Sequence, residues 1–229
     1  MDGAPTIVCS RLIVDLPATQ RDRAATILAA CPTIDLEPAT PQFFVHFSTA
    51  SLLVVETGFV VLRSLDPVAP RSVITCEAGA GRIVLPPSRE EVLVGLERSR
   101  LTVLDAAARA ELLTLPAAAA WIVERLALAL ALRQEASGNL AATRHVERVR
   151  RTLLQLARTY GHAAREGVRI DFPISHALLA EMVASSRETV TRAVDDLQRR
   201  GFVTRVGSTY WLHVSPSVVA ASGGACARA

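Results

Sequence analysis

Three charged side chains lie close together at the start of a predicted helix: Arg187, Glu188 and Arg192. Apolar residues recur through the same stretch at helical spacing, which buries one face and leaves the charged residues outside; they are Val190, Ala193, Val194 and Leu197. An arginine can donate two hydrogen bonds to guanine O6 and N7, and a glutamate can accept one from cytosine N4. The pattern therefore predicts a helix that reads base edges in the major groove of DNA.

A second, shorter helix is predicted just before this one. Ser175 is placed to cap it, and its inner positions are Leu178, Leu179, Met182 and Val183. Ala184 and Ser185 break the helix, and Ser185 with Glu188 three residues later predicts a capping box for the next one. Two short helices joined by a tight turn, with polar residues at the start of the second, indicate a helix-turn-helix.

A wing is predicted after the second helix. Residues 202–206 and 209–214 alternate as two strands do, and Gly207 with Ser208 suits a two-residue hairpin turn. The amides at a helix N-terminus and basic surroundings attract phosphate. The segment as a whole predicts a winged helix-turn-helix.

The spacing of the charged residues has a second interpretation. Glu188 and Arg192 stand four residues apart and can form an ordinary surface ion pair worth about 0.3–0.5 kcal/mol. In that case the helix pair is only amphipathic. The basic surroundings and the predicted hairpin favour DNA binding.

Positive charge is concentrated towards the C-terminus. Residues 144–205 carry 12 Arg against 7 Asp and Glu, a net charge of +5, whereas residues 1–143 carry 12 Arg against 15 Asp and Glu, a net charge of −3. The whole chain of 229 residues has a net charge of only +3, and all 25 of its basic residues are Arg. A basic C-terminal segment predicts a polyanionic partner.

The N-terminal half has a different pattern of apolar and turn residues. A short helix is predicted over residues 12–31, because Ala24, Ile27, Leu28 and Cys31 follow Pro17 at helical spacing. Short segments rich in Val, Leu, Ile and Phe then alternate with turn residues, which predicts an antiparallel β-barrel or sandwich. These segments are 43–47, 52–56, 59–63, 72–76, 82–85, 92–96 and 100–104.

A long apolar helix is predicted next. Asp105 is placed to cap a helix over residues 106–113, and Pro116 opens a stretch that is apolar on nearly every face as far as Arg133. Such a helix must be covered from more than one side, either by a partner subunit or within the core of a monomer. Two dimer seams fit: Val123, Leu126 and Leu130, or Ile122, Leu126 and Ala129.

Gly138 is predicted to break this helix, and an amphipathic helix ends near Tyr160. Its outer face is basic and suits either DNA or solvent; it carries Arg144, Arg148, Arg150, Arg151 and Arg158. Residues 215–229 have the composition of a disordered tail.

Targeting and metal signals are weak. No secretory signal is recognisable at the start, and Glu124 and Arg125 interrupt the most apolar stretch, so a buried helix is expected rather than a membrane span. The four cysteines, Cys9, Cys31, Cys76 and Cys226, show no metal-binding spacing. A cytoplasmic protein without a metal or other cofactor is expected.

The C-terminal residues resemble a known family. The stretch ISHALLAEMVASSRETVTRAVDDLQRRGFV, which begins at Ile174, resembles the winged helix-turn-helix of the Crp/Fnr superfamily, that of the cyclic-AMP receptor protein and the fumarate-nitrate regulator. The upstream stretch GNLAATRHVERVRRTLLQLARTYG, from Gly138, resembles the family's junction between dimer helix and DNA-binding domain. Residues 12–137 match only by layout.

The resemblance implies an α+β chain of four parts. They are an antiparallel β-roll like a cyclic-nucleotide-binding domain over 1–115, a dimerisation helix over 116–143, the winged helix-turn-helix over 144–214 and the tail. It implies a homodimeric transcription regulator on a palindromic operator with TGTGA-like half-sites, with RNA polymerase as a further partner. Arg187, Glu188 and Arg192 would read bases, and phosphate contacts would come from Ser175, His176, Ser186 and Thr189.

The sensor half departs from the cyclic-nucleotide pattern. The family's Gly-Glu is missing, the candidate pair Arg98-Ser99 lies beyond the expected cassette, and the helix position of a Thr-Ser pair holds Arg133-Gln134. A buried cyclic phosphate without a fixed Arg would be an uncompensated charge. We therefore expect no control by cyclic AMP through the usual contacts, and either no effector or an unknown one.

Three other functions have some support in the sequence. The β-roll could bind another protein, or it could sense haem through His46 and Cys76. A cupin-type metalloenzyme needs two or three His on neighbouring strands, and only His46 lies in the β-region. The sequence therefore predicts a protein that is not an enzyme.

Overall fold

A computed structural model describes residues 10–65, 72–165, 167–170, 172–215 and 217. The chain divides into two compact units, with the boundary between Ala131 and Leu132. The predicted architecture of an N-terminal antiparallel β-roll, a long helix and a C-terminal winged helix-turn-helix is confirmed.

The first unit opens with helices and continues as a β-roll. Its elements are α1 (Arg11–Val14), α2 (Ala18–Ala29), β1 (Thr33–Leu36), β2 (Pro41–Phe43), a 3-10 helix (Phe44–Phe47), β3 (Ala50–Thr57), β4 (Phe59–Ser64), β5 (Ile74–Gly79), β6 (Ile83–Val84), β7 (Glu91–Gly95), β8 (Ser99–Asp105) and α3 (Ala106–Leu113). Strands β1-β8-β3-β6 form one antiparallel sheet and β2-β7-β4-β5 form another.

The interior between these sheets is filled with apolar side chains from both. They are Leu36, Phe47, Leu53, Val55, Val60, Leu62, Ala78, Val84, Leu93, Leu101 and Val103. A second cluster lies on the other face of β3 and β8, where Leu52, Val54 and Leu104 pack against helical residues. Burial of this kind, at about 25 cal/mol per Å² of apolar surface, is the main source of stability for the roll.

The prediction of a strand over 43–47 is wrong beyond Phe43, because the chain turns into the 3-10 helix there. Nδ1 of His46 accepts a hydrogen bond from the backbone N–H of Phe43 at 3.1 Å. A side chain that takes up a backbone donor competes with strand pairing. The turn inserts Phe47 into the interior of the roll.

The single helix predicted over 12–31 is also wrong, because α1 and α2 are separate. Pro17 stands at the N-cap of α2, and a proline disfavours helical geometry in the residue before it. The predicted inner residues Ala24, Ile27 and Leu28 are buried as expected. Strand β1, for which no element was predicted, follows α2.

The predicted cap of α3 is confirmed, since Asp105 accepts a hydrogen bond from the N–H of Ala108 at 2.7 Å. The long helix α4 spans Pro116–Leu140, so the predicted break at Gly138 is wrong. A glycine in an exposed helix costs only about 1 kcal/mol. The next residue, Asn139, is buried and donates to Gln155 Oε1 at 2.9 Å, which holds the last turn.

Among the described residues, no single helix is both long and apolar enough to cross a membrane. Helices α3 and α4 reach that composition only when taken together, and they are bent by 118° at their junction.

The second unit begins in α4 and forms a small α+β domain. Its further elements are α5 (His145–Tyr160), β9 (Gly161–Ala164), β10 (Gly167–Ile170), α6 (His176–Met182), α7 (Arg187–Arg199), β11 (Val203–Val206) and β12 (Thr209–Leu212). The strands form an antiparallel sheet in the order β11-β12-β10-β9. The hairpin β9–β10 was not predicted. The predicted tail lies outside the described residues, apart from Ser215 and Ser217.

Candidate nucleic-acid interface

Helix α7 is held by its apolar face. Val190, Ala193, Val194 and Leu197 are buried, as the sequence predicts, and the helix packs against α5, α6 and β11. The opposite face is exposed at Arg187, Glu188 and Arg192, all within the first two turns. The structure therefore brings the three predicted base-reading residues together at one exposed helix end.

The turn between α6 and α7 is a Schellman motif. Ala184 adopts a left-handed conformation with φ of 48°. The N–H of Ser185 donates to the carbonyl of Ala180 at 2.9 Å, and that of Ala184 reaches the carbonyl of Glu181 at 3.5 Å. A residue other than glycine in this conformation costs up to about 1 kcal/mol. The turn ends α6 tightly and sets the direction of α7.

Serine caps begin both helices. Ser175 Oγ accepts from the N–H of Leu178 at 3.0 Å, as predicted. For α7 the predicted cap is wrong by one residue: Ser186 Oγ, not Ser185, accepts from the N–H of Thr189 at 3.1 Å. The backbone N–H of Ser185 belongs to the Schellman motif, so it does not take part in a capping box with Glu188. Its buried side chain lies 3.1 Å from His145 Nδ1.

Two of the predicted phosphate-contact residues, Ser186 and Thr189, lie at the start of α7, and the other two, Ser175 and His176, lie at the start of α6. Ser186 and Thr189 share a hydrogen bond between their hydroxyls at 2.9 Å. Because each hydroxyl carries one hydrogen, one of the two remains able to donate to a phosphate. Capping occupies a lone pair of Ser175 and leaves its O–H as a donor. His176 differs, because Nδ1 of its ring lies 2.9 Å from Thr191 Oγ1.

The wing is formed by β11 and β12, which pair from Val203↔Leu212 to Val206↔Thr209. Gly207 has φ of 63°, which suits the predicted two-residue turn. Val206 is exposed at the tip, and Thr204 Oγ1 lies 2.8 Å from His213 Nε2. The tip that the wing presents is therefore uncharged and small.

Most arginines on the basic face of α5 are engaged within the protein. Arg148 Nε donates to the carbonyl of Ala142 at 2.6 Å. Arg150 and Arg151 both bridge to Glu147, and Arg158 bridges to Glu135 at 3.0 Å. These arginines therefore have partners within the second unit, whereas Arg187 and Arg192 are exposed at the start of α7.

In the β-roll, the pair Arg98-Ser99 does not form a phosphate cradle. Ser99 is fully buried; its Oγ accepts from the N–H of Phe59 at 3.1 Å and contacts the carbonyl of Glu97 at 2.8 Å. The Arg98 side chain is 78% exposed and bridges to Glu37 at 2.7 Å. Ser99 thus links strands β8 and β4, while the side chain of Arg98 extends into solvent.

The residues considered for haem are also engaged locally. His46 Nδ1 accepts from Phe43, and Cys76 Sγ lies 3.8 Å from the carbonyl of Glu77. Cys31 and Cys76 are free thiols, and burial, with Asp105 and Glu111, raises the pKa of Cys31. Within the described residues, no three His, Cys, Asp or Glu side chains gather as a metal site requires.

Sequence reasoning missed the roles of His145 and Thr191. Each bonds a partner on another element, Ser185 for the first and His176 for the second. These partners lie 40 and 15 residues away along the chain, and no local pattern signals either contact.

Comparison with known proteins relates part of the second unit to a known family. Residues 147–214 match the Crp-like helix-turn-helix domain. Over 52 residues the chain is 42% identical to the Global nitrogen regulator of Synechocystis sp. and 38% identical to that of Nostoc sp.. Each match spans 23% of this chain and only 23% of the relative.

Solved structures share the fold of nearly the whole chain. A CooA mutant from Carboxydothermus hydrogenoformans has a TM-score of 0.71 at 18% identity, covering 86% of this chain and 90% of that one. A cyclic nucleotide-binding domain containing protein from Listeria monocytogenes has a TM-score of 0.70 at 16% identity, covering 88% and 94%. The resemblance to the Crp/Fnr superfamily is confirmed for the C-terminal domain and for the fold.

Proposed function

We propose that this chain is a dimeric, sequence-specific DNA-binding transcription regulator. Its residues 147–214 match the Crp-like helix-turn-helix family, and its fold is that of the Crp/Fnr superfamily. The observation that carries the proposal is the exposed group Arg187, Glu188 and Arg192 at the capped start of α7. We expect it to act in the cytoplasm, with RNA polymerase as a further partner and without enzymatic activity.

The three exposed residues of α7 contact the base edges in this proposal. A recognition helix enters the major groove with its N-terminal residues against the bases. Arg187 and Arg192 are both exposed within the first two turns of this helix. Guanidinium groups there suit guanines, and Glu188 between them suits a cytosine. Such a set fits a TGTGA-like half-site.

Phosphate contacts position the helix. The hydroxyls of Ser175, Ser186 and Thr189 each lie at or beside a helix start, where phosphates flank an inserted recognition helix. Hydroxyl donors of this kind fix the position of the recognition helix along the DNA without adding charge. The salt dependence of binding is then set mainly by arginines.

Dimerisation through α4 is supported by the exposure of one face. Val123 and Leu130 are 60% and 58% exposed, whereas Ile122 is buried among residues of its own unit. Of the two seams the sequence allows, the first, Val123, Leu126 and Leu130, is therefore the one left for a second copy. A twofold dimer places two α7 helices on half-sites about 34–36 Å apart, and the operator is then palindromic.

Control by cyclic AMP through the usual contacts is disfavoured in this proposal. The interior of the β-roll is filled by apolar residues, and Ser99 and Arg98 are committed to Phe59 and Glu37. An anionic ligand in that interior would need both displacement of packed side chains and a new positive partner. We propose that DNA binding is independent of an effector or answers to a different one.

The test is fluorescence anisotropy with a duplex carrying a TGTGA-type palindrome and a scrambled duplex of equal composition, each with and without cyclic AMP. We expect tighter binding to the palindrome and the same dissociation constant with and without the nucleotide. Equal affinity for both duplexes would contradict sequence-specific binding to this site. A dissociation constant that depends on cyclic AMP would contradict the proposal for the β-roll.

A further inference from the structure

His176 connects the two helices of the helix-turn-helix. It is the first residue of α6, and its Nδ1 lies 2.9 Å from the hydroxyl of Thr191, which is on α7. The other ring nitrogen, Nε2, is buried and has no hydrogen-bond partner. The ring is thus directed at α7 with only one of its nitrogens engaged.

The hydrogen bonds around Thr191 determine the tautomer of this ring. Thr191 Oγ1 also donates to the carbonyl of Arg187 at 2.9 Å. A hydroxyl has a single hydrogen, so both contacts are satisfied only when His176 Nδ1 carries the proton and donates it. Nε2 of the neutral ring is then a bare acceptor. A phosphate oxygen is itself only an acceptor, so this tautomer has no free donor for it.

The electrostatic surroundings favour the neutral ring. Burial lowers the pKa of His176, and the positive charges of Arg205 on β11 and Arg187 on α7 lower it as well, against an opposing contribution from Asp195. Protonation would add a cation next to the arginine of the wing and the arginine of the recognition helix. The neutral form with its proton on Nδ1 is consistent with this environment.

We propose that His176 is a positioning residue for the recognition helix and not a phosphate ligand. Through Thr191 it fixes the helical turn that begins at Arg187, so that Arg187 and Arg192 meet the bases in one register. The inference rests on the proposed function of α7, and it replaces the phosphate contact that the family resemblance implies for His176.

The consequence for binding distinguishes the two roles. Loss of a phosphate contact weakens binding to all sequences alike, and loss of a charged one also lowers the salt slope by about 0.9. Loss of a positioning contact weakens only binding that depends on correctly placed base-reading residues. The ratio of specific to non-specific affinity is therefore the decisive readout.

The experiment measures binding of full-length variants to the palindromic and scrambled duplexes over a range of salt concentrations. His176→Ala and Thr191→Val are expected to weaken specific binding roughly three- to tenfold, as loss of one hydrogen bond does, with non-specific binding and the salt slope unchanged. The double variant should be no weaker than either single one. His176→Asn and Thr191→Ser, which keep a donor and a hydroxyl, should retain wild-type specificity.

An equal loss on both duplexes for His176→Ala, or unchanged binding to both, would overturn the proposal. Long-range 1H–15N spectra of the free wild-type protein at neutral pH add a readout that needs no DNA. We expect a neutral ring protonated at Nδ1; a ring that is charged or protonated at Nε2 would also overturn it. Failure of the wild-type protein to prefer the palindrome would count against the proposed operator and leave these spectra as the separate test of His176.

Discussion

Ser185 Oγ lies 3.1 Å from Nδ1 of His145, so the turn of the helix-turn-helix is bonded to the first residue of α5. Ser185 is buried, and its backbone N–H is held by Ala180. One residue therefore joins three helices of the second unit: it closes α6, precedes the cap of α7 and contacts α5.

The contact between Ser185 and His145 should be measurable as a coupling free energy in a double-mutant cycle. Ser185→Ala should lower the free energy of unfolding by about 0.5–1.5 kcal/mol, because it removes a buried hydrogen bond. Urea unfolding can be followed by Trp211 fluorescence in a Trp121→Phe background, which reports on the second unit. The losses from Ser185→Ala and His145→Ala should not add.

Ser186→Ala is the matched control for that cycle. It removes the cap of α7, at a cost of about 1 kcal/mol, without touching His145. Its effect should add to that of His145→Ala. Full additivity for Ser185 as well would contradict a coupling between the turn and α5.

A glycine in the left-handed position of the turn should stabilise the protein. Ala184 has φ of 48°, so Ala184→Gly relieves strain of up to about 1 kcal/mol and should raise Tm by about 2–4 °C. Ala177→Gly, at a helical position in the first turn of α6, should lower Tm instead. A lower Tm for Ala184→Gly would show that the turn is not strained at this residue.

A charge on the exposed seam of α4 should separate the proposed dimer. Leu130→Glu should shift the sedimenting species towards the mass of one chain, 24.5 kDa, because it places a carboxylate in an apolar interface. Ala131→Glu adds the same charge to the next, also exposed, residue and should leave the dimer intact. A stable dimer in the Leu130→Glu variant would argue against this seam.

Alkaline pH should destabilise the second unit through one tyrosine. Burial raises the pKa of Tyr210 to about 12, against about 10 in an unfolded chain. Between these values the unfolded state loses a proton that the folded state keeps, so the free energy of unfolding falls as pH rises from about 10 to 12 and is unaffected by this group below pH 10.

The Tyr210→Phe variant identifies the group responsible. It should remove most of this alkaline decline, whereas Tyr160→Phe should retain it, and urea unfolding at a series of pH values measures both. An identical decline in wild-type protein and the Tyr210→Phe variant would show that another group is responsible.

Local patterns predicted those parts of the fold that depend on neighbours in sequence. Asp105, Ser175 and the buried face of α7 are of this kind, since each contact lies within one helix or its first turn. The errors occurred where a distant or unusual contact decides the outcome. Asn139 extends α4 by bonding Gln155. Ser186 rather than Ser185 caps α7, and the side chain of Ser185 contacts His145, 40 residues away.

The sequence predicted which residues of the candidate site are exposed, but not the contacts between helices that hold them in place. The exposure of Arg187, Glu188 and Arg192 follows from helical periodicity alone. The choice between the two seams of α4 needed the packing of Ile122. The contact of His176 with Thr191 joins separate helices and has no counterpart in local spacing.

The most direct test of the account is a position-by-position binding profile. Wild-type protein and the Arg187→Ala variant are each used to select sites from a random duplex pool, and affinities are measured for every single-base change in the selected site. The account predicts that Arg187→Ala weakens specific binding by about 1–3 kcal/mol and loses discrimination at one base pair of each half-site. An unchanged affinity and an unchanged profile would contradict the conclusion that α7 reads DNA through Arg187.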